Sequence, residues 1–237
     1  MVREVFLVGI GLGNPATMTL EARDAIRRSE LIVGAARMVE PYADTDVRVE
    51  ALIRTDDIVR ALSRDDAQVA SVLFSGDVGF YSGATALAEK LRDIDGMRVR
   101  AIPGISSLVY LCARLLTPWQ DAHLVSAHGR QADPVEAVRA HRKTFFLTGG
   151  KTKAHDICAV LAASGLGEVC VSVGERLSYD DECVTTSTAA ELSRKTFADL
   201  SVMLVVNREV DADEPGRLEE AGAAIRPDGA TPGAESV

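Results

Sequence analysis

Residues 4–28 read EVFLVGIGLGNPATMTLEARDAIRR. An apolar run, Val5 to Val8, enters a turn holding Gly9, Gly11 and Gly13, and a helical pattern follows from Leu20 to Arg28. Strand, glycine turn and helix in that order form the opening unit of an α/β protein. Glycine in the turn leaves room for the backbone to approach a bound nucleoside or phosphate closely. The dinucleotide fingerprint G-x-G-x-x-G is not met: Asn14 stands where its last glycine should be, and Gly13 falls one residue early. The acid that such folds place after the second strand is also missing, since Leu31-Ile32-Val33 runs into Gly34-Ala35-Ala36. Both departures argue against a nicotinamide or flavin site, and the second argues equally against the common methyltransferase variant of that fold.

The alternation continues beyond this unit. Strands are expected at Leu31 to Val33, Val47 to Val49, Val69 to Phe74 and Val99 to Ile102, with helices at Asp56 to Leu62, Gly83 to Arg92 and Ser107 to Leu115. Pro118 stops the last of these, which places a boundary near 118 and predicts α/β units over 1–118 and 119–207. In the second unit the strands are His123 to Ser126, Thr144 to Leu147 and Cys170 to Val173, and the helices Pro134 to Ala140 and Thr152 to Ala163. Cys183 to Thr186, a helix Ala189 to Arg194 and a strand Leu200 to Val206 close the pattern, partly as hairpin.

Charge and composition narrow the class of function. The 237 residues are 47% apolar, with 26 bases against 35 acids, enough for a sizeable core. No apolar run reaches the roughly 18–20 residues that span a bilayer, and MVREVFLVGI lacks the cleavage site of a signal peptide, so a cytoplasmic protein without membrane contact is expected. Cys112, Cys158, Cys170 and Cys183 are widely spaced, with no CxxC pair and no His at ligand spacing, so no metal site is expected. Residues 211–237 hold seven acids and two bases, with Leu218, Ile225 and Val237 as their large apolar residues, and residues 208–237 are read as a disordered acidic tail. The remainder carries about −4, which argues against nucleic-acid binding. Between Asp121 and His155, however, six bases face three acids and all four histidines occur, which suits an anionic small substrate or a solvated charged face.

Six loops at expected strand ends have the composition for chemistry. After the first glycine turn come Ser75-Gly76-Asp77-Val78-Gly79-Phe80-Tyr81-Ser82 and Pro103-Gly104-Ile105-Ser106-Ser107. Asp77 suits either a ligand or a local turn bond, and the two serines suit either a ligand or a helix cap. Ser126-Ala127-His128-Gly129-Arg130 puts a titratable group and a fixed cation on one loop, although a lone His also serves structure. Leu147-Thr148-Gly149-Gly150-Lys151 and Gly174-Glu175-Arg176-Leu177-Ser178-Tyr179 complete the set, the adjacent Glu175 and Arg176 suiting either a surface pair or a substrate contact.

The order of these loops resembles the tetrapyrrole methylases, S-adenosylmethionine-dependent enzymes of cobalamin and sirohaem synthesis. VGIGLGNPATMTLEA matches the opening loop and helix, SGDVGFYS the GDP-type loop, and IPGISS the P-G-x-[ST]-S turn. AIPGISSLVYLCARLLTPWQDAHLVSAHGR is similar to the carbon-5 domain of the precorrin-6Y C5,15-methyltransferase branch. Leu12 and Val78 stand where the family usually has proline. The resemblance, over roughly residues 4–206, implies two α/β domains with S-adenosylmethionine in the cleft between them, held at Gly11, Leu12, Ser75, Gly76, Asp77, Ser106, Ser107 and Thr148. It further implies methylation of carbon 5 of a corrin precursor, with His128 as acid or base, Asp77 near the transferred methyl and Tyr81 as a hydrogen-bond partner. Arg130, Lys151 and Arg176 are the expected partners of the macrocycle's carboxylate arms. A homodimer is implied, as is a separate protein for carbon-15 methylation and decarboxylation, since nothing after Val206 reads as such a domain. Another ring position, a diphthine synthase-like protein methylase and a non-catalytic binding protein remain as alternatives.

Overall fold

The computed structural model describes residues 3–127, 133–150 and 152–211. Among these residues the strands form two five-stranded sheets, one drawn from residues before 103 and the other from residues after 122. In the first sheet β1 (Arg3–Gly9) lies centrally. β2 (Leu31–Gly34), β3 (Arg48–Ala51), β4 (Val69–Phe74) and β5 (Met97–Ile102) complete it in the order β3-β2-β4-β1-β5, with every pairing parallel. Parallel neighbours require crossovers, and these lay helices on both faces. α1 (Leu20–Arg28) and α2 (Ala36–Val39) cover one face, α3 (Thr55–Arg64) and α4 (Ala84–Arg92) the other.

That two-sided cover explains why Val5 to Val8 is apolar at every position. Val5 and Leu7 join the cluster under α3 and α4, Phe6 and Val8 the cluster under α1 and α2, and all four are at most 1% exposed. Burial of each such side chain stabilises the fold by about 1.5–3 kcal/mol. α1 starts where the Thr19 hydroxyl accepts the Ala22 N–H at 3.1 Å, and it buries Ala22, Ala25 and Ile26 at helical spacing.

α5 (Ser107–Arg114) follows the first sheet in sequence but packs on the second. The second sheet contains β6 (His123–Ser126), β7 (Lys143–Leu147), β8 (Cys170–Glu175), β9 (Cys183–Thr188) and β10 (Ser201–Val206), in the order β6-β7-β10-β8-β9. β6 and β7 are parallel, β8 and β9 form an antiparallel hairpin, and β10 runs antiparallel to both its neighbours. α6 (Pro134–Ala140), α7 (Ala154–Ala163) and α8 (Ala189–Leu192) pack on the face that holds Phe146, Val171 and Met203. On the opposite face Leu108, Leu111 and Cys112 of α5 pack on Phe145, Val202 and Leu204.

A buried lysine fixes the segment that joins the sheets. The side chain of Lys143, 8% exposed, donates to both carboxylate oxygens of Asp121 at 2.8 and 2.9 Å, to the Pro118 carbonyl at 2.8 Å and to the Thr117 hydroxyl at 3.2 Å. A buried ammonium persists only when its donors are satisfied in this way. The expected elements recur with shifted ends: β8 and β9 run two residues beyond expectation because they pair over a six-residue register, and α8 stops at Leu192 rather than Arg194. Residues 212–237 of the expected tail lie outside the described residues.

The ends of β1, β4 and β5 meet at three glycines. A Cβ on Gly104 would stand 2.3 Å from the Gly76 carbonyl oxygen and 2.5 Å from that of Gly9. A Cβ on Gly9 would stand 2.7 Å from the Gly104 nitrogen. Gly104→Ala is therefore expected to lower stability by at least about 1–3 kcal/mol, the usual cost of overpacking. Thermal unfolding of the purified variant checks this, and an unchanged midpoint would mean that the strand ends are not in contact.

Candidate functional site

The two glycine turns of the first half are zipped together. Gly11 N–H donates to the Gly76 carbonyl at 3.2 Å and Gly76 N–H to the Gly11 carbonyl at 2.6 Å, with φ of +69° and +72° at the two residues. Asp77 braces the same junction, one carboxylate oxygen accepting the Gly79 N–H at 2.8 Å and the other the Gly104 N–H at 3.0 Å. Three strand ends are thereby held as one block, with backbone rather than side chains as its surface.

A cleft of about 320 Å³ is lined by both halves at this edge, near the lower end of the roughly 300–1,000 Å³ of small-molecule pockets. Leu12, Ser75, Gly76, Phe80, Tyr81 and Ser107 come from the first half and α5, and Arg37 of α2 joins them. Leu147 ends β7 and Thr148 to Gly150 follow it, while Gly174 lies near the end of β8 and Leu177 just beyond that strand. Because β10 is antiparallel, its first turn, Asp199 to Val202, reaches the same edge.

Hydrogen bonds fix several of these walls. The Thr148 hydroxyl donates to the Ser201 carbonyl and lies 3.1 Å from the Ser201 hydroxyl. The Tyr81 hydroxyl donates to the Leu124 carbonyl of β6 at 3.0 Å, and Tyr81 adopts φ +48°, a strained region for a residue with a Cβ. The loop 176–182 is tied to both halves: Asn14 donates to the Ser178 carbonyl at 2.7 Å, while Ser178 N–H and the Tyr110 hydroxyl donate to Glu182 at 2.6 and 2.8 Å. Arg114 Nε stands 2.7 Å from the other Glu182 oxygen. Burial raises the Glu182 pKa, but the Ser178, Tyr110 and Arg114 contacts outweigh it and hold the carboxyl below its ordinary range.

Residues 4–193 match the family model described as Tetrapyrrole (Corrin/Porphyrin) Methylases. The chain belongs to the tetrapyrrole methylases. Among curated relatives of this family of methyltransferases, it is similar to the precorrin-6Y C(5,15)-methyltransferase [decarboxylating] of Sinorhizobium sp, at 30% identity over 90% of this chain and 51% of that protein, so it spans about half of that relative's length. It is 32% identical to the cobalt-precorrin-7 C(5)-methyltransferase of Salmonella typhimurium, over 74% of this chain and 86% of that one. Its fold matches that of a uroporphyrin-III C-methyltransferase from Thermus thermophilus complexed with S-adenosylhomocysteine, with a TM-score of 0.68 at 19% identity, covering 86% of this chain and 92% of that chain.

Of the residues expected at the cofactor of this tetrapyrrole methylase, Leu12, Ser75, Gly76, Ser107 and Thr148 line the cleft, and Gly11 is bonded to Gly76. Ser106 caps α5, accepting the Val109 N–H at 3.3 Å, and Asp77 makes the local turn bonds that its pattern also allowed. Tyr81 reaches the cleft. Arg176 is absent from the lining as described, and its Nε pairs with Asp181 at 3.0 Å. His128, Arg130 and Lys151 lie outside the described residues.

The sequence pattern does not single out Arg37 or the turn Asp199 to Val202. Phe80 and Leu177 sit inside quoted loops without a role. Asp199 pairs with Lys153 at 2.6 Å, and that hydrogen bond holds its carboxyl below the ordinary range. Membership of the cleft by Asp199 to Val202 depends on β10 inserting between β7 and β8, which no local pattern reveals.

Glu182→Gln is expected to destabilise the protein by about 1–3 kcal/mol at pH 7, the worth of charge-assisted bonds. A carboxyl whose pKa is depressed by folding adds stability above its unfolded value of about 4.3 and loses it as pH falls through the folded value. Denaturant titrations at pH 7 and pH 3 check this: the gap between wild type and variant should narrow at the lower pH, and a constant gap would assign the loss to shape rather than charge.

Proposed function

We propose that this tetrapyrrole methylase transfers a methyl group from S-adenosylmethionine to carbon 5 of a corrin precursor, precorrin-6Y, precorrin-7 or cobalt-precorrin-7, in cobalamin biosynthesis. The observation that carries the reading is the convergence on one cleft of glycine turns from both sheets, Gly76 from the first and Gly149, Gly150 and Gly174 from the second. The donor set fits a nucleoside joined to an amino acid. Apolar walls at Leu12, Phe80, Leu147, Leu177 and Val202 suit a base, and hydroxyls at Ser75, Ser107, Thr148 and Ser201 alternate with exposed backbone to bond polar edges. The relatives' names support carbon 5, and the shorter Salmonella protein, covered over most of its length, supports leaving carbon 15 and decarboxylation to a separate protein.

The bound cofactor supplies a methyl group made electrophilic by its sulfonium sulfur. The chain's own part is alignment and exclusion of water: the braced glycine block fixes one wall, and the Thr148–Ser201 pair fixes another. Tyr81, held to β6 by its hydroxyl, stands at the cleft as a candidate hydrogen-bond partner of the acceptor. His128 is the candidate acid or base, Arg130 and Lys151 the candidate holders of carboxylate arms, and the protein works as a homodimer.

Titration calorimetry with S-adenosylhomocysteine should detect binding, and Ser107→Ala and Thr148→Val should each weaken it about five- to tenfold, the worth of one neutral hydrogen bond. Mass spectrometry after incubation with labelled S-adenosylmethionine and the metal-free or cobalt-containing precursor should show a single methyl added at carbon 5. Addition at another carbon would overturn the ring position, and absence of nucleoside binding would overturn the function.

A further inference from the structure

We propose that Arg37 is a carboxylate-binding residue of the cleft, an assignment that rests on the methyltransferase reading and deepens it. Dinucleotide folds place an acid after the second strand, where it accepts hydroxyls of a ribose. Here that strand end carries Gly34, Ala35 and Ala36, and the first charged side chain after it is the cation Arg37. The backbone has little freedom to be elsewhere: a Cβ on Gly34 would stand 3.2 Å from Leu73 and 3.3 Å from Val39, so α2 is drawn tightly onto the sheet with Val39 buried at 3%. Arg37, two residues before Val39, is left exposed and lines the cleft.

The charge balance of the lining points the same way. Among the described residues, the cleft's charged lining consists of Arg37 and Asp199. Asp199 is neutralised by Lys153 at 2.6 Å, whereas Arg37 forms no hydrogen bond or ion pair within the described residues. A guanidinium at a ligand pocket of an acidic protein, with its donors uncommitted, is matched by a planar anion that accepts two parallel bonds. Two ligands of the proposed reaction carry such a group: the amino-acid end of the cofactor and the acetate or propionate arms of the macrocycle.

Three probes separate these sources, with binding as the readout. S-adenosylhomocysteine carries the carboxylate, 5′-methylthioadenosine lacks the amino-acid end, and uroporphyrin carries carboxylate arms without the nucleoside. If Arg37 holds the cofactor, Arg37→Ala weakens S-adenosylhomocysteine about 10- to 100-fold, as expected for a lost charge-assisted bond, and leaves methylthioadenosine unchanged. If it holds the acceptor, uroporphyrin binding falls by that factor and both nucleosides are unaffected. Arg37→Lys should restore part of the loss in either case, and the unfolding midpoint of the exposed variant should match that of wild type. Equal weakening of both nucleosides, or no change with any probe, overturns the assignment while leaving the methyltransferase reading in place. A wild-type protein that takes up neither nucleoside removes that reading and Arg37's role with it.

Discussion

The arrangement of the cleft depends on backbone-to-backbone contact at Gly9, Gly76 and Gly104. No side chain separates these three strand ends, so their carbonyls and amides lie closer than any Cβ permits. The Asp77 carboxylate then accepts the half-buried Gly104 amide at this crowded junction and, with its other oxygen, the exposed Gly79 amide. Packing, hydrogen bonding and conformation agree at this point, and the turns that follow inherit their position from it.

A second constraint links this block to the other sheet. Asn14, the residue that breaks the dinucleotide fingerprint, accepts the Ala16 N–H at 2.8 Å and donates to Ser178 on the far loop. The departure that excluded one class of cofactor is thus the residue that joins the first glycine turn to the second half. Leu12 acts likewise, packing with Leu108, Leu111 and Leu177 rather than with its own sheet.

Much of this was legible in the sequence because it is local. The apolar run Val5 to Val8 reads as a strand from its pattern alone, and the glycine turns after β1, β4 and β7 stand out as strand ends suited to a ligand. The order β6-β7-β10-β8-β9 was not legible, since periodicity reports what a segment is and not which strand it lies beside. Asp199 and Ser201 escape a local reading for that reason. Arg37 is hidden on a different ground: the missing acid at the second strand's end departs from a known pattern, whereas the cation after it matches none. Asp77 shows the limit of residue type, because one carboxylate pattern serves a ligand and a turn equally well.

The lysine clamp at Asp121 has a mechanical consequence. Residues 117–121 are anchored to β7 and α5 is packed on the second sheet, so neither is free to act as a joint. Gly104 is locked into the first sheet. The covalent path between the two sheets therefore runs through Ile105 and the α5 cap Ser106, next to Ser107 of the cleft lining, so the crossing of the chain and the wall of the pocket are one piece of backbone.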